Sequence, residues 1–271
     1  MSFQLVRKGE LAYWVSTEIT VPHCFTTRLG GVSEGYLSSM NLGIGRGDKP
    51  ENVRENYRIL GEAVGFTPDQ VVFSCQVHED TVERVGRKDR FRVMLEQPQW
   101  LPRDGLVTNE TETALTVFSA DCTTVLLHDP VKKAVAAVHS GWRGTAKGIV
   151  LRAVEAMQRE FGSDPADLRA AIGPCISRCC FETHREVPDA MLAALGVDAL
   201  PAVEAIPQRE GKYLVDLKMI NEIWLRKGGV DIIDVCPDCT ACDTNLYWSH
   251  RRTGGERGSL AAIIMLPREG A

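Results

Sequence analysis

The sequence lacks long apolar segments. Nowhere do about 18 consecutive apolar residues occur, which is the length that a membrane-spanning helix needs. The first ten residues also lack the apolar region of a secretory signal peptide. Both absences predict a cytoplasmic protein that is neither secreted nor inserted in a membrane.

Excess positive charge is absent as well. The 31 Lys and Arg residues are outnumbered by 36 Asp and Glu residues, and the formal net charge is -5. A nucleic-acid binder needs a basic face for phosphate contacts, so this balance argues against nucleic acid as a partner. The local cluster of Arg251, Arg252 and Arg257 can still bind one small anion.

Common nucleotide-binding motifs are missing too. No GxGxxG precedes a helical pattern and no GxxxxGK[ST] occurs, which disfavours dinucleotide and P-loop chemistry. The chain has no repeat of fixed period and no low-complexity linker. We therefore predict a single domain over residues 1–271, a length that can bury a large core.

Cysteine, by contrast, is plentiful, but the count of nine is odd. Without an export signal, reduced thiols are expected rather than disulfides. Three of them recur at every third position in Cys236-Pro-Asp-Cys239-Thr-Ala-Cys242, which resembles part of an iron–sulfur run without its usual fourth partner. Although Cys175, Cys179 and Cys180 lie upstream, the pattern favours buried or half-exposed thiols over a second metal site.

Hydrophobic periodicity predicts a mixture of strands and helices. From Glu51, apolar residues recur every three or four positions up to Gly65, as on one face of a helix. Asp129-Pro130 indicates a turn between two apolar runs, so a hairpin is expected there. We predict strands within 3–25 and at 71–77, 114–118, 123–127, 134–138, 170–172, 230–235 and 260–266, helices near 51–64, 150–161, 187–195 and 217–226, and an irregular connection over 86–105.

Three candidate metal ligands lie at the ends of predicted strands. Cys122 and His139 bound short apolar runs within residues 119–148, and His78 follows the run 71–77. A lone histidine or cysteine is usually a core or surface side chain. Three together favour a site, because two histidines and one cysteine can hold a catalytic zinc with one coordination position open. Periodicity does not establish that these strands are neighbours.

The same residues permit a different chemistry. Cys122 and His139 can also form the thiolate nucleophile and the base of a cysteine hydrolase. Zinc on the Cys122 sulfur would quench its nucleophilicity, so the two mechanisms exclude each other. The glycine-rich turn 141–145 carries Arg143 into a helix and is a plausible anion site, although most such turns bind nothing. Arg28 precedes a Gly-Gly turn and, from the residues alone, is best interpreted as an exposed arginine.

Several short motifs occur together along nearly the whole chain. They are Phe25-Thr-Thr-Arg-Leu-Gly-Gly-Val-Ser33, Asn41-Leu-Gly43, Gln76-Val-His78, Asp104-Gly-Leu-Val-Thr108, Ala120-Asp-Cys122, Val138-His-Ser-Gly-Trp-Arg-Gly-Thr145, Gly173-Pro-Cys175 and Ser249-His-Arg-Arg252. Together they resemble the YfiH-type family, which has been called laccase-domain or polyphenol oxidase proteins. Its members are now described as purine nucleoside phosphorylases with added adenosine deaminase activity.

The resemblance implies a fold, a cofactor and partners. It implies that His78, Cys122 and His139 bind zinc, and that the fold is α/β (α+β), with mixed β-sheets packed together and flanked by helices, as in a cysteine-hydrolase-like toxin domain. Purine nucleoside and phosphate are the implied partners, and the oligomeric state stays open between monomer and homodimer. Two departures from the family pattern bear on substrate preference: His250 replaces a tyrosine, and Thr183-His184 replaces a valine and a glycine.

The resulting hypothesis is phosphorolysis of adenosine, inosine or methylthioadenosine. Zinc and nearby arginines would supply positive charge for phosphate and for the departing base, and zinc would activate water for deamination. Asp121 would accept a hydrogen bond from a ligand imidazole or transfer a proton, with a buried capping role as its alternative. The candidate catalytic residues are Arg28, Asp121 and Arg143, and the candidate substrate-binding residues are Gln76, Cys175, Arg252 and Arg257.

Three alternatives remain open from the sequence. One is a cysteine amidase that acts on cell-wall precursors with Cys122 as its nucleophile. Another is a copper-dependent polyphenol oxidase, although a multicopper site usually needs His-x-His pairs and none of the six histidines is so paired. Copper can nevertheless bind a site of two histidines and one cysteine. The third is a binding protein in which zinc is only a structural staple.

Overall fold

The computed structural model describes residues 3–90 and 102–268. Within these residues the strands are β1 (Phe3–Lys8), β2 (Leu11–Ser16), β3 (His23–Thr26), β4 (Val71–Phe73), β5 (Val82–Arg84), β6 (Gly105–Thr108), β7 (Ala114–Ser119), β8 (Thr123–Asp129), β9 (Ala134–Ser140), β10 (Arg169–Ile172), β11 (Glu182–Thr183), β12 (Val203–Ala205), β13 (Tyr213–Val215), β14 (Ile232–Val235) and β15 (Leu260–Ile264). The α-helices are α1 (Pro50–Val64), α2 (Trp142–Ala146), α3 (Ile149–Phe161), α4 (Glu186–Leu195), α5 (Leu217–Lys227) and α6 (His250–Thr253).

Two six-stranded sheets form the centre of the fold. The first has the order β1-β2-β3-β15-β7-β4 and the second has the order β14-β10-β8-β9-β6-β5. Both are mixed, because β4 and β7, β5 and β6, and β10 and β14 pair in parallel, whereas the other neighbours are antiparallel. A small third sheet has the order β11-β13-β12.

Alternating side chains on the central strands explain how the layers pack. On β8, Leu126 contacts the core between the two large sheets, whereas Val125 and Leu127 face the helices α3 and α5. On β15, Ala262 faces the same inter-sheet core, while Ile263 faces α1. Successive side chains of a strand point to opposite faces, so a strand buried on both faces is continuously apolar. The expected class, mixed sheets packed together with helices outside, is confirmed.

Most predicted elements occur at the expected places, including the helix at 50–64, which ends at Gly65 with φ of 106°, and the hairpin of β8 and β9. The strand predicted over 71–77 is wrong in its second half, because β4 ends at Phe73. Beyond it, polar contacts replace strand pairing: the Gln76 side chain bonds the backbone of Phe118. Strands β5, β6, β11, β12 and β13 were not predicted, since two to four residues carry too little periodicity. Residues 91–101 of the predicted irregular connection lie outside the described residues.

Among the described helices, none is both long enough and apolar enough to span a membrane.

Candidate metal centre between two cavities

The hairpin of β8 and β9 positions Cys122 beside His139. Thr124 pairs with His139 and Thr123 pairs with Ser140, so Cys122, one residue before β8, lies next to Gly141 across the hairpin. The Ser119 hydroxyl donates a hydrogen bond of 2.6 Å to the Cys122 carbonyl oxygen and fixes the turn that leads into β8. Local sequence alone therefore sets the relation between these two ligands.

His78 reaches the site from a loop that a buried carboxylate organises. Asp104 is fully buried, and its side chain accepts the backbone N–H groups of Val77, His78 and Glu79 at 3.0, 3.0 and 3.1 Å. The backbone of His78 has φ of 63°, a left-handed conformation that non-glycine residues rarely adopt. Three hydrogen bonds to one carboxylate stabilise this conformation and aim the His78 ring at the hairpin.

Asp104 also orients His139. The Asp104 carboxylate lies 2.7 Å from His139 Nδ1, and the His139 N–H donates to the Asp104 carbonyl oxygen at 2.7 Å. A carboxylate on Nδ1 fixes the imidazole so that Nε2 is the nitrogen left to bind a metal, an arrangement that recurs at zinc sites. One buried aspartate thus positions two of the three candidate ligands.

The three ligand groups converge as the sequence predicted. One ligand atom each from His78, Cys122 and His139 lies within 4.8 Å of the others, and Cys122 Sγ is 3.9 Å from His78 Nε2. Tetrahedral zinc with sulfur and nitrogen ligands requires separations of about 3.3–3.6 Å, so small side-chain shifts are enough. A Cβ added at Gly141 would lie 2.8 Å from the His78 ring, which explains why this turn needs glycine. The donor set fits zinc with one position open.

The electrostatics of the ligands favour a thiolate. Burial raises the pKa of the Cys122 thiol, but His139 and His78 outweigh it and lower this pKa to about 6. For His139, burial lowers the pKa, but Cys122 and Asp104 outweigh it and raise the value to about 9. The opposite directions of these two pKa shifts favour a thiolate and imidazolium pair when no metal is bound. Such a pair suits a metal that displaces the imidazolium proton, and it also suits a cysteine nucleophile.

Two cavities flank the ligand group. One has a volume of about 450 Å³ and the other about 360 Å³, and both are lined by His78, Ala120, Cys122 and Arg257. We call them the polar cavity and the aromatic cavity. Serine and glutamine side chains and Arg46 line the polar cavity, whereas Trp142, Ile176, Phe181, Leu217 and His250 line the aromatic cavity.

Positive charge concentrates where the cavities meet. Arg257 lines both, and its buried Nε has no hydrogen-bond partner among the described residues. Burial and the nearby Arg46 guanidinium together lower the pKa of Arg257 to about 10, against the opposing effect of Cys122 and Asp121. Two guanidinium groups that repel each other beside a metal-ligand group form a suitable site for an anion.

Two predicted site residues lie at these cavities but have structural partners. Gln76 lines the polar cavity, and its amide is engaged by the Phe118 backbone and by the Ser74 hydroxyl at 2.8 Å. Asp121 lines the aromatic cavity. Its carboxylate accepts the Thr240 hydroxyl at 2.7 Å and two further donors at the start of α6. For Asp121 this geometry favours the capping role over proton transfer.

Four other predicted residues do not line either cavity. Arg28 stacks on Trp248, with its Cζ 3.7 Å from the ring centroid, and bonds two backbone carbonyls. Arg143 is exposed over its neighbour Trp142. Arg252 binds the Ala241 carbonyl oxygen at 2.6 Å. Cys175 is fully buried, and its thiol donates a hydrogen bond to the Ile176 carbonyl oxygen at 3.4 Å.

The departures from the family pattern differ in position. His250 lines the aromatic cavity, so having histidine here instead of the family's usual tyrosine changes the wall of that cavity. Thr183 is buried in β11, and His184 is exposed and contacts Lys212 Nζ at 2.8 Å. Neither of the latter lines the two cavities, so only the first departure bears directly on what they can bind.

Sequence reasoning assigned no role to two residues that are central here. Asp104 belonged to a recognised motif, and its position directly before an apolar run was the signal for a residue at a strand start. Arg46 lies between Gly45 and Gly47 in a turn, where nothing local distinguishes it from any exposed arginine. Only the approach of this turn to Arg257 identifies it.

Comparison with known proteins identifies relatives over nearly the full length. Residues 22–267 match the family model described as multi-copper polyphenol oxidoreductase laccase. The protein named purine nucleoside phosphorylase YlmD of Bacillus subtilis is 35% identical, over 89% of this chain and 86% of its own. A protein named purine nucleoside phosphorylase of Bacteroides thetaiotaomicron is 33% identical, over 93% of this chain and 94% of its own.

Solved structures agree with this relationship. The Bacillus licheniformis hypothetical protein YfiH superposes with a TM-score of 0.90 at 33% identity, covering 97% of this chain and 98% of that chain. The YlmD structure from Geobacillus stearothermophilus gives a TM-score of 0.90 at 30% identity, covering 97% and 99%. The resemblance drawn from the short motifs is confirmed by both kinds of comparison.

Proposed function

Because this chain belongs to the multi-copper polyphenol oxidoreductase laccase family, whose similar members bear the name purine nucleoside phosphorylase, we propose that it is a zinc-dependent purine nucleoside phosphorylase. Its substrates would be adenosine, inosine and methylthioadenosine together with phosphate. Deamination of adenosine would be a side activity of the same site.

The observation that carries this proposal is the pairing of a zinc-type ligand set with an anion site. Arg257 lines the wall common to both cavities, next to Cys122 and His78, and Arg46 faces it from the polar cavity. A phosphate in the polar cavity would be bound between two guanidinium groups. A purine nucleoside in the aromatic cavity would have Trp142 and Phe181 available for stacking on the base.

The reaction joins the two substrates at the shared wall. A phosphate oxygen forms a bond to the anomeric carbon of the ribose while the bond from that carbon to the purine nitrogen breaks. The purine leaves with the electron pair and takes up a proton, giving the free base and the ribose 1-phosphate. Positioning and positive charge are the main contributions that a protein makes to such a displacement.

The described residues divide these tasks. Arg46 and Arg257 would hold phosphate and offset its charge. Asp104 keeps His78 and His139 in place, and Asp121 fixes the start of α6, which carries His250 to the aromatic cavity. When bound by His78, Cys122 and His139, zinc supplies Lewis-acid positive charge and can acidify water for deamination.

One assay tests the proposal directly. The zinc-loaded protein is incubated with adenosine, with and without phosphate, and adenine is separated from inosine by chromatography. Adenine that appears only with phosphate supports phosphorolysis, and inosine in both samples supports deamination. If neither product forms while the protein carries stoichiometric zinc, the proposal is wrong.

Replacing Arg46 by Gln should raise the KM for phosphate by about tenfold. A charge-assisted hydrogen bond contributes about 1.5–3 kcal/mol, and solvent exposure of Arg46 places the loss near the low end. The KM for the nucleoside should change much less. Steady-state kinetics with each substrate varied in turn measure both values.

Lys49→Gln is the matched control, since Lys49 is exposed nearby and lines neither cavity. Equal effects of both substitutions would argue against a specific phosphate contact.

A cysteine hydrolase remains the second candidate, and one observation favours it. In that mechanism Cys122 is the nucleophile, the neighbouring His139 is its base, and Asp104 is the carboxylate that orients the His139 ring. The lowered pKa of Cys122 already favours the thiolate. The second imidazole of the group, that of His78, has no role in that mechanism, whereas a metal site requires it. His78 is therefore the residue that separates the two candidates.

A further inference from the structure

A second cluster of cysteines lies outside the candidate metal centre. For the run 236–242 the sequence favoured buried or half-exposed thiols over a second metal site, and it gave no indication of how close these thiols lie to other cysteines. The fold brings four sulfur atoms within 4.8 Å of one another, those of Cys179, Cys180, Cys239 and Cys242. Cys236 is buried elsewhere, next to the inter-sheet core.

Two short loops assemble this cluster. A backbone bridge between Cys175 and Cys239 aligns the segments, and the Thr240 N–H donates to the Cys175 carbonyl oxygen at 3.0 Å. In one loop, the Cys180 N–H donates a hydrogen bond of 2.9 Å to the Ser177 carbonyl oxygen. In the other, the Cys242 N–H donates a hydrogen bond of 3.1 Å to the Cys239 carbonyl oxygen. Each tight turn presents two cysteine side chains to the other loop.

We propose that these four cysteines bind a zinc ion in a closed, tetrahedral site. The sulfur–sulfur distances are 3.9 Å for Cys179 and Cys180, 3.5 Å for Cys179 and Cys242, and 3.4 Å for Cys180 and Cys242. Four sulfurs at 2.3 Å from one zinc must be about 3.8 Å apart, so these three distances bracket the required value. Cys239 Sγ lies within 4.8 Å of the other three sulfurs. An iron–sulfur cluster would spread the sulfurs further, since its cysteines ligate different iron atoms.

The same distances disfavour a disulfide. Cys242 Sγ is almost equally far from Cys179 Sγ and Cys180 Sγ, at 3.5 and 3.4 Å. A disulfide would bring Cys242 Sγ to about 2.05 Å from one of these two sulfurs. It would not explain why the second sulfur lies equally close. A single central ion accounts for all four sulfurs at once.

The surroundings suit a group of thiolates. The Ser177 N–H donates a hydrogen bond to Cys239 Sγ at 3.3 Å, and Arg252 Nη2 lies 3.5 Å from Cys180 Sγ. Both donors offset the negative charge that four thiolates bring to one ion. Cys179 and Cys242 are exposed, so an ion can enter from solvent.

A site with four protein ligands has a structural role. It would tie the loop that precedes Phe181 to the loop that precedes α6, and the Cys180 carbonyl oxygen already accepts a hydrogen bond from Arg251 at 2.9 Å. Phe181 and Arg251 both line the aromatic cavity. The zinc would therefore hold one wall of that cavity without contacting a substrate.

Metal analysis of variants tests this site separately from the first one. In Cys122→Ala, which lacks a ligand of the first site, we expect about one zinc ion per chain by mass spectrometry of the metal. Adding Cys179→Ser and Cys242→Ser should remove that ion, and both positions are exposed, so folding is little affected. Adding Cys75→Ser instead is the matched control, because this half-buried cysteine lies outside the cluster and should leave zinc content unchanged.

Cobalt gives a readout that does not depend on cluster variants. Cys122→Ala protein loaded with cobalt(II) should show intense sulfur-to-cobalt charge-transfer bands and the visible bands of a tetrahedral ion. Absence of both zinc and these bands would overturn the proposal. So would an intact mass that has lost the hydrogens of a disulfide, with Cys179 or Cys180 linked to Cys242 in the peptide map.

Discussion

Replacing His78 by Asn should lower kcat/KM for phosphorolysis by about 10²–10³-fold. The loss of one of three ligands removes zinc from the site, and Lewis-acid stabilisation amounts to several kcal/mol, with each 1.36 kcal/mol a factor of ten. Asparagine tolerates the left-handed backbone at this position, and its amide is a poor zinc ligand. Zinc content and steady-state kinetics on the same preparation measure the effect.

The result also separates the two candidate mechanisms. A cysteine hydrolase built on Cys122, His139 and Asp104 does not need His78, so its acylation by a thiol-directed substrate would survive this substitution. His184→Asn is the matched control, because His184 is exposed and lines neither cavity. A His78→Asn protein that keeps full phosphorylase activity without zinc would contradict the metal-dependent mechanism.

Replacing Asp104 by Asn should weaken zinc binding by about 10–100-fold, as loss of a carboxylate that orients a ligand histidine commonly does. It should also lower the free energy of unfolding by about 2–4 kcal/mol, since the amide NH₂ group must face N–H donors in a fully buried position. Competition with a chromophoric chelator measures affinity, and urea unfolding of the metal-free proteins measures stability.

A neighbouring aspartate provides the control for this experiment. Asp80 lies on the same loop, is partly exposed, and contacts Arg152 at 3.9 Å. Asp80→Asn should leave zinc affinity unchanged and alter stability by no more than about 0.5 kcal/mol. If the Asp104 and Asp80 variants behaved alike, the proposed role of Asp104 in holding His78 and His139 would be wrong.

Local sequence predicted the elements that carry strong periodicity. The apolar stripe of α1 and the hairpin of β8 and β9 follow from contacts between residues close in the chain, so they occur where expected. The segment after Phe73 was misjudged as strand because its apolar and β-branched residues have strand propensity. There, hydrogen bonds to Asp104 and Phe118, both distant in sequence, override that propensity.

The sequence by itself determined the family, the class of fold and three candidate metal ligands, because short motifs and the chemistry of residue types can be recognised without knowledge of distances. Tertiary structure decided which polar groups meet. It placed Asp104 between His78 and His139, removed Arg28 and Arg143 from the cavities, brought Arg46 to Arg257, and gathered four cysteines from two loops. Each of these outcomes depends on pairings between segments that are far apart in the chain, and residue periodicity carries no record of such pairings.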